Sequence, residues 1–141
     1  MENKAANFQL VNVILVESSF HREKEMPLHL QKDFKNDLAI DIIHSLNEPD
    51  ILEVELKIQL ISSLEEKVYI NFTVSNVGIF KYDKATHKDL IDKFILINAP
   101  AIIFPFTREI VANLSVKGGL NPILLQPVNF VELSKKAEFK S

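Results

Sequence analysis

The stretch ILEVELKIQLI (residues 51–61) decides the fold. Leu52, Val54, Leu56, Ile58 and Leu60 alternate with Glu53, Glu55, Lys57 and Gln59. An apolar period of two with a charged opposite side predicts an antiparallel strand with one buried and one wet face. After a polar turn at Leu64, Glu65 and Glu66 the alternation resumes. Val68, Ile70, Phe72, Val74 and Phe80 fall on one side, with Lys67, Tyr69, Asn71, Thr73 and Ser75 on the other. The two runs are predicted to form a hairpin.

Upstream, FQLVNVILVESSF (residues 8–20) is rich in β-branched and aromatic residues and lacks Gly and Pro, as a strand should. Strict alternation puts Phe8, Leu10, Ile14, Val16 and Phe20 on one face and Val11, Val13 and Leu15 on the other, so the strand is expected to be covered on both sides. A charged connection over residues 21–37 contains Pro27 yet carries Leu28, Leu30 and Phe34. LAIDIIH (residues 38–44) predicts another short strand.

Downstream, Thr86 and Asp89 suggest a capping box at a helix start near residue 87. Leu90, Ile91, Phe94, Ile95 and Ile97 supply its apolar stripe, and Pro100 is expected to end it. A second helix should begin within residues 101–105 and stop at Gly118 in a left-handed cap. LNPILLQPVNF (residues 120–130) carries two prolines and reads as an extended apolar strap that needs an apolar surface to receive it. Residues 134–141 are expected to be a frayed tail. Four strands followed by two helices give an α+β class.

The chain has 141 residues, one domain's worth, and a net charge of −3. With no basic stripe, nucleic acid is not an expected partner. There is no cysteine, which removes disulfides, thiolate metal sites and cysteine nucleophiles. The polar start has no secretion signal and points to a cytoplasmic location. The apolar run at residues 94–106 is shorter than the roughly 20 residues of a membrane span, so no membrane insertion is expected.

Gly78, Gly118 and Gly119 are the only glycines, and their spacing fits neither a GxxxxGK(S/T) nor a GxGxxG phosphate-binding loop. His21, His29, His44 and His87 lack metal-ligand spacing, and Asp41 and Glu109 have no partner pattern, so each reads as an ordinary polar residue. No catalytic residue, metal or cofactor is expected, and the chain reads as a binding module. Its apolar excess predicts self-association. The interface is expected on Val11, Val13 and Leu15 of the first strand and on Leu90, Phe94 and Ile97 of the first helix.

INAPAIIFPFTREIVANLSVKGGLNPILLQPVNFVEL (residues 97–133) resembles the C-terminal half of the SecB family of protein-export chaperones. FQLVNVILVESSF, QKDF (residues 31–34), ILEVELKIQL and GIF (residues 78–80) match that family's first strand, crossover loop, third strand and fourth-strand end in order. The resemblance implies a homotetramer, a dimer of dimers, that binds unfolded preproteins without ATP and passes them to the SecA motor. It implies an apolar peptide groove at Phe34, Leu38, Ile40, Ile42 and Phe130, with ordinary core packing as the competing reading for Ile40 and Ile42. On the SecA-facing sheet surface it implies Glu17, joined by Glu53 and Glu55. His21 and Thr73 stand where acidic residues are usual there, and SKKAEFKS (residues 134–141) replaces an acidic tail. The alternatives are a SecB-like chaperone dedicated to one client, such as the antitoxin of a toxin–antitoxin system, and a hot-dog-like thioesterase.

Overall fold

The computed structural model describes residues 7–138; the chain's first six and last three residues lie outside the described residues, as does the part of the expected tail that falls there. Four strands, β1 (Phe8–Arg22), β2 (Lys35–Asn47), β3 (Ile51–Leu64) and β4 (Lys67–Tyr82), form one antiparallel sheet in the order β1-β4-β3-β2. The strands outrun the apolar stretches that announce them, because polar end residues still join the ladder, as in Lys35↔Ser63 and Asn47↔Ile51. Between β3 and β4, Glu65 and Glu66 take φ of 51° and 70°. Positive φ at both central residues lets a two-residue turn follow the strand twist.

The core lies between this sheet and the helices. Leu52, Val54, Leu56, Ile58 and Leu60 of β3 are buried together with Ile70, Phe72, Val74 and Phe80 of β4. Against them packs α2 (Ala99–Lys117), presenting Ala99, Ile103, Thr107, Val111 and Ser115, all buried and one helical turn apart. The approach is close: a Cβ on Gly78 would stand 2.9 Å from Ile103 Cδ1. The Thr107 hydroxyl donates to Asn76 Oδ1 at 2.8 Å, so this buried polar pair is satisfied.

The helical region differs from the sequence expectation. α1 (Lys88–Lys93) runs through a π-helical segment (Phe94–Asn98) directly into α2, and neither Pro100 nor Pro105 breaks it. The wide π turn, in which the Ala99 N–H donates to Phe94 O, precedes Pro100 and relieves its clash with the preceding turn. The merged run, Lys88–Lys117, is long and apolar enough to cross a membrane by length and composition, which corrects the length argument made on residues 94–106. The N-cap is His87 rather than Thr86, its Nδ1 accepting from the Asp89 N–H at 3.2 Å. At the other end the left-handed residue is Gly119 (φ 74°), not Gly118. Gly119 N–H donates to Val116 O and Leu120 N–H to Ser115 O, both at 3.0 Å, the paired bonds of a Schellman cap.

Two further corrections bear on the surface. Register shifts between Leu10 and Asn12 and between Leu15 and Glu17 mark bulges in β1, and each bulge reverses the face that later residues occupy. Val13 therefore sits opposite Gly78 and Leu15 opposite Asn76, on the helix side, while Ile14 sits opposite Val77 on the outer face. The second correction concerns residues 134–138, which are not frayed: α3 spans Phe130–Glu138.

Candidate functional site

On the helix side, Leu38, Ile40, Ile42, His44 and Leu46 of β2 pair with Leu60, Ile58, Leu56, Val54 and Leu52 of β3. The β3 members are buried, whereas Leu38 remains 37% and Leu46 50% exposed. The cause is position: β2 is an edge strand, and α2 packs on β4, β3 and β1. α3 partly roofs the middle of the row. Ile40, Ile42, Leu96 and Leu133 line a cleft of about 230 Å³ there, with Asp41, Ser134 and Lys136 at its polar margin. Along the other flank of α3 runs a cleft of about 480 Å³, with Leu96, Ile97 and Val131 in its wall and Asp89, Asp92, Lys93 and Lys135 at its charged margin.

The roof is held by local chemistry. Asn129 Oδ1 accepts the Glu132 N–H at 3.1 Å and caps α3, and Phe130 packs edge-on against Phe104 at 6.0 Å. The strap leading into α3 is received by the core through buried Leu120 and Leu125. Gln31, in a 3₁₀ turn at Leu28–Asp33, donates to Asn121 O at 3.0 Å and accepts from its N–H at 3.1 Å, while Arg108 Nε donates to Leu125 O at 2.9 Å. An open apolar cleft of this kind binds by removing area from water, which is non-directional and tolerant of sequence.

Among the expected groove residues, Ile40 and Ile42 line the first cleft, and Leu38 continues the same face. Phe34 and Phe130 do not belong to the open surface. Phe34 is buried 5.4 Å from the Tyr69 ring, and Phe130 is buried beneath the start of α3. Leu96, Val131 and Leu133 were missed. The Asn-x-x-Glu spacing of Asn129 and Glu132 was a signal for α3, but nothing local announced the π segment that carries Leu96.

On the opposite face, Glu17, Glu53 and Glu55 do lie together, since they pair with or flank Ser75, Ile79 and Val77 of the outer row. Each is engaged. Glu17 Oε1 is 3.5 Å from Lys57 Nζ, Glu53 accepts from Asn47 Nδ2 at 3.1 Å, and Glu55 accepts from the Ser75 hydroxyl. Thr73 joins Glu17 and Lys57 in a polar depression on this face. His21 Nε2 lies 2.7 Å from Glu23 Oε2, and that hydrogen bond holds the exposed Glu23 carboxyl below its ordinary value.

Of the residues expected at an interface, Val11 and Leu15 are exposed, Val13 is half-buried against the core, and Leu90 and Ile97 are half-buried. Phe94 is withdrawn from that set. It is buried, stacked on Phe8 at 3.9 Å and edge-on to Phe80 at 5.0 Å. Ile102 and Phe106, one turn apart on α2, are exposed instead. Among the described residues no cluster of three or more His, Asp or Glu could hold a metal ion.

The family model described as preprotein translocase subunit SecB matches residues 1–140. A protein-export protein SecB of Afipia carboxidovorans is 36% identical over 84 residues, covering 60% of this chain and 52% of that protein. One of Rickettsia africae is 33% identical, covering 71% of this chain and 66% of its own length. The matched region thus spans between half and two thirds of these curated relatives. Among solved structures, a SecB-like chaperone of Mycobacterium tuberculosis in complex with an antitoxin peptide superposes with a TM-score of 0.77 at 15% identity, over 89% of this chain and 93% of that one. At that identity the likeness is one of fold.

Proposed function

Since the chain belongs to the SecB family, we propose that it is an ATP-independent chaperone that holds unfolded preproteins and delivers them to SecA. The observation that supports this reading best is the open apolar row of β2, half roofed by α3, with about 230 Å³ of free space over Ile40 and Ile42. Holding a client there requires no nucleophile, metal or nucleotide, because apolar area leaving water supplies the affinity. We place the working form as a cytoplasmic homotetramer, in which exposed Val11 and Leu15 of β1 and exposed Ile102 and Phe106 of α2 are covered by other copies.

The test is capture without nucleotide. The full chain should suppress aggregation, read as light scattering, when a denaturant-unfolded protein is diluted into buffer, and Ile42→Asp should lose most of that suppression while staying folded. Absence of suppression by the parent chain would overturn the reading. Static light scattering that finds only the 16.1 kDa monomer at micromolar concentration would remove the tetramer.

A second reading, a chaperone dedicated to one client such as an antitoxin, is favoured by the outer sheet face. Lys57 engages Glu17 there, and His21 and Thr73 contribute no acid. SecA docking on this face should be weak and salt-sensitive, because exposed ion pairs contribute about 0–1 kcal/mol each and are screened over roughly 8 Å at physiological salt. Titrating SecA of the same organism at two salt concentrations separates the two. No binding at either, with client capture intact, favours the dedicated chaperone, and tight salt-independent binding rejects this face as the docking site. The hot-dog fold of the thioesterase reading introduces its long helix early in the chain, whereas here the long helix follows all four strands.

A further inference from the structure

The flank of α2 that faces the strap carries a further depression. Phe104, Pro105 and Ala112 of α2 and Leu124 and Pro127 of the strap wall a pocket of about 300 Å³. None of these residues lines either cleft beside α3. Leu124 is 57% exposed, so an apolar body laid against it removes area that otherwise meets water. Two residues of an α-helix turn through about 200°, which sets Arg108 on the other side of α2 from Phe106. A copy that covers Phe106 therefore does not by that contact cover Arg108.

The charged part of the lining is Arg108 and Glu109. Arg108 Nε donates to Leu125 O at 2.9 Å, which anchors one edge of the guanidinium against the strap. Among the described residues Arg108 makes no other side-chain hydrogen bond and no salt bridge, so its Nη1 and Nη2 groups remain to bind. Glu109 does not pair with it, since consecutive residues on a helix do not face each other. A planar guanidinium with two N–H groups side by side matches a carboxylate in a bidentate fork.

We propose that this pocket binds a medium-chain carboxylic acid, its carboxylate on the Arg108 guanidinium and its acyl chain between α2 and the strap. At roughly 30 Å³ for each non-hydrogen atom, the share of a water molecule in the liquid, the volume holds about ten atoms, the size of octanoate. Apolar walls with a few placed polar groups are the pattern of small-molecule sites. An acyl chain has no polar group beyond its head, in keeping with walls that are otherwise apolar. A polypeptide end would bring amide N–H groups into the same space, where burial without a partner is unfavourable. Glu109 repels the bound carboxylate, so it limits the affinity that Arg108 supplies.

The test is calorimetric titration of the full chain with sodium octanoate, kept below the concentration at which it forms micelles. Octanoate should bind saturably, hexanoate about fourfold weaker through the loss of two half-buried methylenes, and octylamine not at all. Arg108→Gln should weaken octanoate binding about tenfold or more, and Glu109→Gln should strengthen it about twofold or more. Ala112→Leu, which fills the pocket, should weaken it about tenfold or more while capture of unfolded protein persists, and it serves where Arg108→Gln loosens the strap. Ile42→Asp should leave octanoate binding unchanged. Absence of octanoate binding, or equal binding of octanoate and octylamine, overturns the proposal. Binding that survives Ala112→Leu but is lost in Ile42→Asp also overturns it, because the acid then sits in the cleft over β2. Tighter binding of N-acetyl-leucyl-leucine than of octanoate overturns it in favour of a polypeptide end.

Discussion

Phe94→Ala separates core from interface at the position where the helix stripe suggested a partner surface. The phenyl ring is buried, stacked within 3° of parallel on Phe8 and edge-on to Phe80. Truncating a buried phenylalanine costs about 3–5 kcal/mol, a figure that already contains the roughly 0.5–1.5 kcal/mol of each aromatic pair. Against a typical total of about 5–15 kcal/mol the variant should stay folded at room temperature, with a urea midpoint well below the parent and an unchanged m-value. Unfolding should be followed by circular dichroism at one fixed protein concentration, because an oligomer's apparent stability depends on it. Phe94 also opens the π segment that carries Leu96 to the clefts, so client capture should weaken before the fold is lost. A stability loss under about 1 kcal/mol accompanied by a drop in oligomer mass would refute the core assignment and return Phe94 to the interface.

Glu65→Asn combined with Glu66→Gly should raise the thermal midpoint by a few degrees, since both residues hold positive φ at about 1–2 kcal/mol each for ordinary side chains. Gly118→Ala should lower it, because the new Cβ would stand 2.5 Å from Phe20 Cζ and such overpacking costs about 1–3 kcal/mol. His21→Ala should return the Glu23 carboxyl toward its ordinary 4.5, as read by NMR titration. With a lowered folded pKa, whatever that contact contributes is present above 4.5 and fades as pH falls through the folded value.

The sheet was legible because period two survives wherever one face is buried and the other wet, as it does along β3 and β4. It failed in β1, where bulges near Val11 and Val16 reverse the pleat twice. A bulge inserts a residue without changing composition, so no local pattern records it. The helix stripe was read correctly, but Pro100 was taken as a stop because its missing N–H and ring clash are local facts, while the π turn that accommodates them depends on packing against the sheet. Phe34 was singled out as an aromatic in a charged loop, and the reason for it is Tyr69 on β4, far away in sequence. Ile40 and Ile42 line the cleft for a physical reason: they continue the buried face of the sheet onto a strand that α2 does not reach.

The division between core and groove follows from the same geometry. The fully buried residues come from β3, β4 and the one-turn stripe of α2, so the protomer's stability is concentrated in the middle of the sheet. β2 and α3 are attached at its margin, β2 through β3 and α3 chiefly through the π segment. An apolar surface at that margin can stay partly open without emptying the core, whereas the same exposure on β3 would forfeit about 25 cal/mol for every Å² returned to water. The face behind the groove follows a different rule. Its carboxylates are engaged by Lys57, Asn47 and Ser75, which keeps the sheet soluble while weakening the field it can project to a docking partner.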